Sequence, residues 1–440
     1  MAASLRWLRW LGLWSLRSSV SALVVIVTCG LLLSTRQLYF SKGQVRRTRA
    51  GNVDLIHVCL CSDDTDLRPA AVAIKSAWAS ALEPERLVFH YITTPEFASL
   101  FQELFQRHLP GIRIEVHHNA ALQARIQSFI SFRETSKARK SLASPFNFAP
   151  FYLGEYLSGD AGGTPDVRRV IYVDTDTVLL GDLAELHEMD LQDHSSAAVK
   201  YCLQHWNDYI NFGMLTELGY GHFNPKQCIA NRGVMVLDLP RWKAANMTGK
   251  IEHFLQLYRS AREDLWVGGM SQPPWLLAMN GDYFNLGDAW NCNGLGRESM
   301  APLETQTLRK AGFDRMALKT LGANLVAGGS VVPYVVMCSS TGKLLHFNGA
   351  MKPWLSERFT GMWPACALPQ GFAAEQHWVW QRTVRVFCEP MKFVSCAELW
   401  SRYISEDAAC ALKDFDKEWA EELEKWNIPE DDNQKDDGAS

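Results

Sequence analysis

A single stretch in the middle of the chain constrains its fold most strongly. Residues 168–180 contain Val170-Ile171-Tyr172-Val173, an uninterrupted apolar run of mostly β-branched and aromatic residues. Such a run predicts a strand that is buried on both faces, as the strands of a parallel sheet are when helices cover both sides. The chain has 440 residues and a net charge of −4, so it has room for a large domain with an ample core.

Two carboxylates, Asp174 and Asp176, follow this strand directly. Side chains at i and i+2 of an extended backbone lie on one face, so the two carboxylates point the same way. Paired carboxylate oxygens suit Mg²⁺ or Mn²⁺, and open α/β sheets bind ligands at the carboxyl ends of their strands. The Asp-x-Asp pattern also occurs at 64–66 and 414–416, so the pattern alone leaves ordinary strand-end carboxylates as an equal alternative.

Strands and helices alternate around this stretch. Candidate strands precede it at 55–61, 87–92 and 112–116, and follow it at 197–201, 228–239 and 344–347. Candidate helices begin at Pro69, Pro95 and Pro240, and the last extends to about Ser260. The β-α-β-α-β order of the first half predicts a parallel sheet with right-handed crossovers. The fold class is therefore α/β, with a mixed, mainly parallel central sheet, and 265–296 is expected to line a site.

An uncharged apolar segment at residues 18–35 is long enough to span a membrane, because eighteen helical residues cover about 27 Å. No strong small-residue cleavage site accompanies it, so an uncleaved signal anchor is preferred to a cleaved signal peptide. More basic residues follow the span than precede it, so the charge distribution by itself does not place the N-terminus in the cytosol.

The composition of the chain indicates how it is divided. We expect a cytosolic tail at 1–17, the transmembrane helix at 18–35, a stem at 36–52, the main domain at 53–358, a Trp- and Cys-rich extension at 359–429 and a disordered acidic tail at 430–440. No basic stripe appears, so nucleic-acid binding is not expected. The sequence predicts neither the identity of a small-molecule substrate nor an oligomeric state.

Eleven cysteines are compatible with an oxidising, secretory compartment. Cys59 and Cys61 alternate within the first strand and are expected to be small buried residues. An even set in the last quarter of the chain has the composition for two disulfides, namely Cys366, Cys388, Cys396 and Cys410. Asn246-Met247-Thr248 is a glycosylation acceptor if this part of the chain is lumenal.

A second motif, residues 346–354, favours a functional role for the carboxylate pair. His346 can complete the coordination of a cation that is held by two carboxylates. Gly349 allows the backbone to approach a phosphate closely, and Lys352 adds positive charge against it. Each of these residues has a structural explanation when it is taken alone, but the combination with Asp174 and Asp176 is specific.

With these motifs in place, the chain resembles glycosyltransferase family 8, the retaining nucleotide-sugar transferases that include glycogenin and the plant galacturonosyltransferases. The resemblance covers roughly residues 53–356. The motifs that carry it are Cys61-Ser62-Asp63-Asp64, Tyr172-Val173-Asp174-Thr175-Asp176, Asn231-Arg232-Gly233-Val234-Met235 and the 346–354 block. Trp242, Gln272-Pro273-Pro274 and 290–296 are most similar to the galacturonosyltransferase-like branch. The resemblance implies a GT-A type fold with a single Rossmann-like domain.

The resemblance also implies a role for each matched residue. The metal, Mn²⁺ or Mg²⁺, would be held by Asp174, Asp176 and His346. The UDP-sugar donor would be bound by Ser62, Asp63, Asp64, Asp174, Thr175, Asn231, Gly233, Gly349 and Lys352. The catalytic residues would be Gln272, near the anomeric carbon, and Lys352, which offsets negative charge on the departing diphosphate.

These features predict a Mn²⁺-dependent, retaining glycosyltransferase that moves a sugar from a UDP-sugar to a glycan or glycoprotein acceptor. A single-pass type II anchor in the Golgi membrane, with the main domain in the lumen, is common among such enzymes. Two positions depart from the pattern of many members, since Pro150 replaces an arginine and Ser271 replaces an aspartate before Gln272. These departures keep open a catalytically weak nucleotide-sugar-binding or scaffolding protein on the same fold. A metal phosphohydrolase would need the carboxylates alone and would leave His346 and Lys352 unexplained.

Overall fold

The computed structural model describes residues 54–133, 140–158, 167–295, 342–349, 352–354 and 400–413. The predicted cytosolic tail, membrane anchor, stem and acidic tail lie outside these ranges, and so do Cys366, Cys388 and Cys396. Within the described ranges, no helix is both long enough and apolar enough to cross a membrane.

Nine strands in the described part of the chain build two sheets. They are β1 (Ile56–Cys61), β2 (Leu87–Ile92), β3 (Ile114–His117), β4 (Arg169–Val173), β5 (Thr177–Leu179), β6 (Ser196–His205), β7 (Cys228–Asp238), β8 (Phe284–Asn285) and β9 (Leu344–His346). Seven of them form the central sheet in the order β3-β2-β1-β4-β7-β6-β8. Strands β1 to β4 are parallel, β7 runs antiparallel to both of its neighbours, and β8 is parallel to β6. The prediction of a mixed, mainly parallel sheet is therefore confirmed.

Helices cover both faces of the central sheet. They are α1 (Arg68–Ser80), α2 (Pro95–His108), α3 (Ala120–Phe129), α4 (Leu153–Tyr156), α5 (Ala184–His187), α6 (Phe212–Glu217), α7 (Leu239–Ala244), α8 (Met247–Ser260), α9 (Gln272–Met279) and α10 (Glu406–Ala411). Helices α1 and α2 pack on the face of β1 that carries Ile56, Val58 and Leu60. Helices α3, α8 and α9 pack on the face that carries Cys59 and Cys61, which are buried free thiols as predicted. Each fully buried large apolar side chain stabilises this arrangement by roughly 1.5–3 kcal/mol.

The helix predicted over 240–260 is two helices, α7 and α8, because the backbone turns at Asn246. Asn246 adopts a left-handed conformation with a φ of 49°, which asparagine tolerates better than most residues. The Thr248 hydroxyl then donates to the Phe151 carbonyl (2.7 Å) and accepts from the Trp242 indole (3.0 Å). These bonds tie both helices to the segment that precedes β4.

Residues 265–296 contribute to the sheet as well as to the site, although composition predicts only the second role. Strand β8 pairs with β6 at the edge of the central sheet. Helix α9 begins at Gln272, which lines the cavity described below. A strand of two residues is too short to display a period-2 pattern, which is why the sequence does not reveal it.

A disulfide joins two neighbouring strands of the central sheet. Cys202 of β6 is bonded to Cys228 of β7, where the register between the two strands shifts. Cys292 and Cys410 each take part in a disulfide as well. Cys410 belongs to the set of four cysteines predicted to form disulfides, and the other three lie outside the described residues.

Residues 400–413, which belong to the predicted extension, pack on the main domain. The Leu67 N–H donates to the Leu412 carbonyl (3.0 Å), and Leu412 is buried together with α1 and α2. Trp400 stacks on Trp354, with ring centroids 5.7 Å apart. This part of the extension therefore packs against Trp354, at the end of the 346–354 block.

Candidate active site

A small antiparallel sheet brings the two predicted site segments together. Strand β5 pairs with β9 so that Thr177 lies opposite His346. The Phe347 N–H donates to the Asp176 carbonyl (2.9 Å), and the Thr177 hydroxyl donates to the Asp174 carbonyl (2.8 Å). These bonds fix the turn between β4 and β5, and they hold the imidazole of His346 next to the carboxylate pair.

Three potential ligand atoms face one another at this point. His346 Nε2 lies 3.1 Å from Asp176 Oδ1 and 3.4 Å from Asp174 Oδ2. Neighbouring ligands of a cation are roughly 3 Å apart when the bonds are about 2.1 Å long and at right angles. The three predicted metal ligands are therefore close enough to share one divalent cation.

Hydrogen bonds on the far side of the ring leave His346 Nε2 free for a cation. The Asn291 amide nitrogen donates to Asn231 Oδ1 (2.8 Å), so the Asn291 oxygen accepts from His346 Nδ1 (3.0 Å). The neutral ring then carries its lone pair on Nε2. His346 Nε2 and Asp176 Oδ1 are buried, and neither has a hydrogen-bond partner among the described residues. Two buried acceptors that face each other at this distance fit a cation such as Mn²⁺ or Mg²⁺.

Without a cation, the same surroundings favour a protonated imidazole. Burial opposes the charged ring, but the adjacent Asp176 and Asp174 carboxylates outweigh burial and raise the pKa of His346 to about 9. Burial also opposes the charged form of Asp176, whereas the positive charges of Lys352 and His346 hold the pKa of Asp176 below its usual range. Asp176 is thus an anion at neutral pH, and His346 holds a proton until a cation displaces it.

Metal binding is therefore expected to release about one proton per bound cation at pH 7, because the imidazole must become neutral to act as a ligand. The apparent affinity for Mn²⁺ should rise with pH up to about 9, the pKa of His346 in the metal-free protein, and then level off. Isothermal titration calorimetry in buffers of different protonation enthalpy measures the proton release. The release should disappear well above that pKa, which provides the internal control. Negligible release at pH 7 would contradict the assignment of His346 as a ligand.

Two further side chains hold the carboxylates. The Tyr172 hydroxyl donates to Asp174 Oδ1 (2.5 Å). Lys352 Nζ donates to Asp176 Oδ2 (2.6 Å) and to a neighbouring backbone carbonyl (2.6 Å). The two oxygens of Asp176 thus have separate neighbours, since Oδ1 faces His346 and Oδ2 faces Lys352. Lys352 therefore lies beside the predicted metal ligands, and its charge is paired with one of them, Asp176.

Gly233 is adjacent to the imidazole, at a position with no room for a side chain. A Cβ atom there would lie 2.1 Å from Cε1 of His346, well inside contact distance. The Asp174 N–H donates to the Gly233 carbonyl (2.9 Å), so the strand cannot move away without disturbing the carboxylate turn. Close approach of the imidazole is therefore a reason for glycine here, in addition to the expected proximity of the donor sugar.

The three potential ligands lie in a cavity of about 1000 Å³, which is large enough for a nucleotide-sized ligand. Eleven of the twelve predicted site residues line it, namely Ser62, Asp63, Asp64, Asp174, Thr175, Asp176, Asn231, Gly233, Gln272, His346 and Lys352. The twelfth, Gly349, is buried and donates its N–H to the Leu295 carbonyl (3.0 Å). The amide nitrogen of Gln272 is buried and has no partner in the described part of the chain.

Three residues of this site, Tyr172, Arg232 and Asn291, have no role predicted from the sequence. Tyr172 carries a local signal, because it lies two residues before Asp174 and therefore on the same face of the extended chain. Asn291 bonds to His346, which is 55 residues away in the sequence, so no local pattern predicts its role. Arg232 also carries a local signal, because it is a charged residue inside a mostly apolar strand. It lines the cavity.

A second group of potential metal ligands, His90, Glu115 and His117, lies at the opposite edge of the sheet. There the ring nitrogens form a chain, because His57 Nδ1 lies 2.9 Å from His90 Nε2 and His90 Nδ1 lies 2.9 Å from His117 Nε2. Burial and the neighbouring His117 lower the pKa of His90 to about 2, so His90 stays neutral. These rings satisfy one another by hydrogen bonds, and their arrangement requires no cation.

A second cavity, of about 930 Å³, lies beside α8 and is lined by Arg125, Glu155 and Glu252 among others. Arg125 forms ion pairs with Glu155 (2.8 Å) and with Glu252 (2.7 Å). These three charges are thus paired with one another, in contrast to the ligand atoms without a hydrogen-bond partner in the first cavity.

Fold and site together define the class of the protein. A mixed α/β sheet that holds two carboxylates, a histidine and a lysine in one cavity is suited to a metal-dependent enzyme with a phosphate-linked substrate. The family model described as Glycosyl transferase family 8 matches residues 57–358, which is more than half of the chain. The chain belongs to glycosyltransferase family 8, as the resemblance predicts.

Named relatives agree with this assignment. Probable galacturonosyltransferase-like 6 of Arabidopsis thaliana is 29% identical over 306 residues, which cover 69% of this chain and 75% of the relative. Probable galacturonosyltransferase-like 7 of the same plant is 30% identical over 306 residues, which cover 69% of this chain and 71% of the relative. The predicted similarity to the galacturonosyltransferase-like branch is thus confirmed.

Solved structures similar to this chain include two glycosyltransferases. The galactosyltransferase LgtC, in complex with donor and acceptor sugar analogs, has 17% identity and a TM-score of 0.45, over 70% of this chain and 94% of LgtC. Mouse xyloside xylosyltransferase 1 has 16% identity and a TM-score of 0.40, over 67% of this chain and 98% of the mouse chain.

Proposed function

We propose that this protein is a Mn²⁺-dependent, retaining glycosyltransferase that moves a sugar from a UDP-sugar to a glycan or glycoprotein acceptor. The observation that carries the proposal is the pair of buried, unpartnered ligand atoms, His346 Nε2 and Asp176 Oδ1, that face each other across 3.1 Å. Membership of the family supports the reaction class, and the positions of these two atoms support the binding of a cation.

Departure of the nucleotide diphosphate is the difficult part of such a transfer. A bound divalent cation would supply Lewis-acid stabilisation of the negative charge that develops on the diphosphate. Lys352 would add a second positive charge once it exchanges its bond to Asp176 for a phosphate oxygen. Before the donor binds, the positive charges of Lys352 and His346 hold the pKa of Asp176 below its usual range, so the carboxylate is ionised and able to bind a cation.

The donor sugar would lie between Asn231 and Gln272, which line the same cavity. The Gln272 amide nitrogen has no partner among the described residues, so it is free to donate a hydrogen bond to the sugar. Gln272 is neutral and offers no carboxylate nucleophile. We therefore favour retention by front-face displacement through an oxocarbenium-like transition state, and the anomeric configuration of the product, read by NMR, tests this step.

We infer that the main domain is lumenal and that residues 18–35 anchor it in the Golgi membrane. The disulfide between Cys202 and Cys228 supports an oxidising compartment, because such bonds are rare in the cytosol. Asn246 of the glycosylation tripeptide is exposed, as an acceptor must be. Protease protection of the main domain in sealed microsomes is the expected result for this topology.

A screen of UDP-sugars with the purified full-length chain and Mn²⁺ is expected to show hydrolysis or transfer from at least one donor, measured as release of UDP. UDP-galacturonate belongs in the panel because the relatives are named for galacturonosyl transfer. Chelation with EDTA should reduce the rate to background, and added Mn²⁺ should restore it. Turnover that is unaffected by chelation would contradict the metal-dependent mechanism. Binding of UDP without turnover of any donor would favour the catalytically weak binding protein instead.

A further inference from the structure

Arg232 lines the donor cavity and forms no ion pair with any residue that the structure describes. It lies in β7 between Asn231 and Gly233, and all three residues line the cavity. Only 9% of its surface is exposed, and its Nη1 atom is shielded from solvent without a hydrogen-bond partner in the described ranges. The ion pairs of this site instead involve His346 and Lys352.

An unpaired guanidinium is unfavourable in a buried position, because the charge loses hydration without gaining an acceptor. Two other buried arginines avoid this cost by pairing. Arg68 is bound to Asp66 (2.7 Å), and Arg86 is bound to Glu83 (3.0 Å). A buried polar group without a partner calls for a specific explanation, and a ligand that is bound only during function provides one for Arg232.

The described neighbours of Arg232 include an aromatic ring and two groups whose pKa its charge affects. Its Cζ lies 5.9 Å from the centre of the Phe151 ring, which is a weak cation–π contact. Burial raises the pKa of Cys61 and that of Tyr172, and the positive charge of Arg232 acts in the opposite direction on both. The charge of Arg232 therefore acts on groups at the ends of β1 and β4, where the donor would be bound.

The neighbouring cation, Lys352, already has a carboxylate partner. Lys352 donates to Asp176 and to a backbone carbonyl, both at 2.6 Å. Arg232 lines the same cavity, and no described residue accepts a hydrogen bond from its Nη1 atom. An anionic group that enters the cavity would therefore meet a positive charge that has no ion-pair partner among the described residues.

We propose that Arg232 binds an anionic oxygen of the nucleotide-sugar donor, from the diphosphate or from the carboxylate of a uronic acid. The planar guanidinium presents parallel donors that match both of these oxyanions. The inference rests on the proposed function and deepens it, because it names a residue that determines which donors the cavity accepts.

The test measures binding to the full-length chain in Mn²⁺ by isothermal titration calorimetry, with UDP, UDP-galactose and UDP-galacturonate as probes. Arg232→Gln removes the charge and is expected to weaken binding roughly ten- to a hundredfold. Arg232→Lys keeps the charge without the planar fork and should recover part of the loss. An equal loss for all three probes supports the proposal and assigns the diphosphate. A loss confined to UDP-galacturonate supports it and assigns the carboxylate, and unchanged affinity for every probe overturns it.

Thermal unfolding of the ligand-free protein separates ligand binding from a structural role. Removal of an unpaired buried charge in Arg232→Gln should leave the Tm unchanged or raise it, whereas a lowered Tm together with weaker binding would overturn the proposal. Arg125→Gln is the matched control, because it breaks ion pairs at the second cavity and should leave donor affinity unchanged. An equal loss of affinity in this control would also overturn the proposal.

The binding experiment distinguishes the failure of this inference from the failure of the proposed function. A chain that binds UDP but turns over no donor would refute the transfer activity and would still report the role of Arg232. A chain that transfers sugar with unchanged affinity in Arg232→Gln would refute only the role of Arg232. If the unchanged chain binds none of the probes, both proposals fail.

Discussion

Replacement of Asp176 by asparagine is expected to abolish metal-dependent turnover, with a fall in kcat/KM on the order of a thousandfold or more. The substitution removes the anion that His346 Nε2 faces at 3.1 Å and that Lys352 Nζ contacts at 2.6 Å. It therefore removes a metal ligand and leaves two positive charges without their shared counter-ion. Steady-state release of UDP measures the rate, and electron paramagnetic resonance of free Mn²⁺ measures the loss of binding.

Asp282→Asn provides the control for this prediction. The side chain of Asp282 is 79% exposed and contacts His194 at 2.6 Å on the surface, so the same chemical change there should leave turnover intact. Near-UV circular dichroism of both variants establishes that each remains folded. Full activity of the Asp176 variant would refute the metal site, and so would Mn²⁺ binding at the affinity of the unchanged chain.

Substitution of Gly233 by alanine is expected to weaken Mn²⁺ binding by roughly a hundredfold, although it adds a single methyl group. The new Cβ would lie 2.1 Å from Cε1 and 2.4 Å from Nδ1 of His346, so the ring must move. That movement breaks the hydrogen bond to Asn291 and takes Nε2 away from the carboxylates. Calorimetric titration with Mn²⁺ measures the effect. Thermal unfolding of the metal-free chain measures the accompanying strain, which is about 1–3 kcal/mol for an overpacked site.

Gly154→Ala is the matched control for Gly233→Ala. The nearest atom to a Cβ at Gly154 is Cδ2 of Leu239, at 4.0 Å, so alanine fits there without displacement. Gly154 lies in α4, where alanine is favoured over glycine, so the variant should be no less stable and should bind Mn²⁺ normally. If Gly233→Ala binds Mn²⁺ as tightly as the control, His346 does not act as a metal ligand in the position described.

The elements with strong local signals could be predicted from the sequence. Strands β1 and β2 are apolar runs that end at polar turns, and Pro95 begins α2, so these elements lie within one residue of their predicted bounds. The candidate ligands Asp174, Asp176 and His346 could be named because few residue types bind a hard cation and because the surrounding motifs resemble a known family. The pairing of β5 with β9 that brings them together was not predictable, since strands of three residues carry no measurable period.

Contacts between distant elements account for what the sequence did not reveal. Many family members have an arginine where this chain has Pro150, which suggests the loss of a cation near the donor. In the structure, however, Arg232 of β7 lies over the ring of the adjacent Phe151, so a positive charge is present in this region. The disulfide between Cys202 and Cys228 is a similar case, because disulfide connectivity cannot be deduced from the positions of cysteines alone.

The pairing of β5 with β9 also determines when the candidate site can form in a newly synthesised chain. Asp176 and Lys352 are 176 residues apart, which corresponds to roughly 10 to 35 s of synthesis. During that interval the ribosome completes every strand of the central sheet, while the carboxylates have neither the histidine nor the lysine beside them. The nascent protein therefore cannot assemble the proposed cation site until most of its length has been made. A chain that ends before residue 344 would contain all seven described strands of the central sheet and would lack His346 and Lys352.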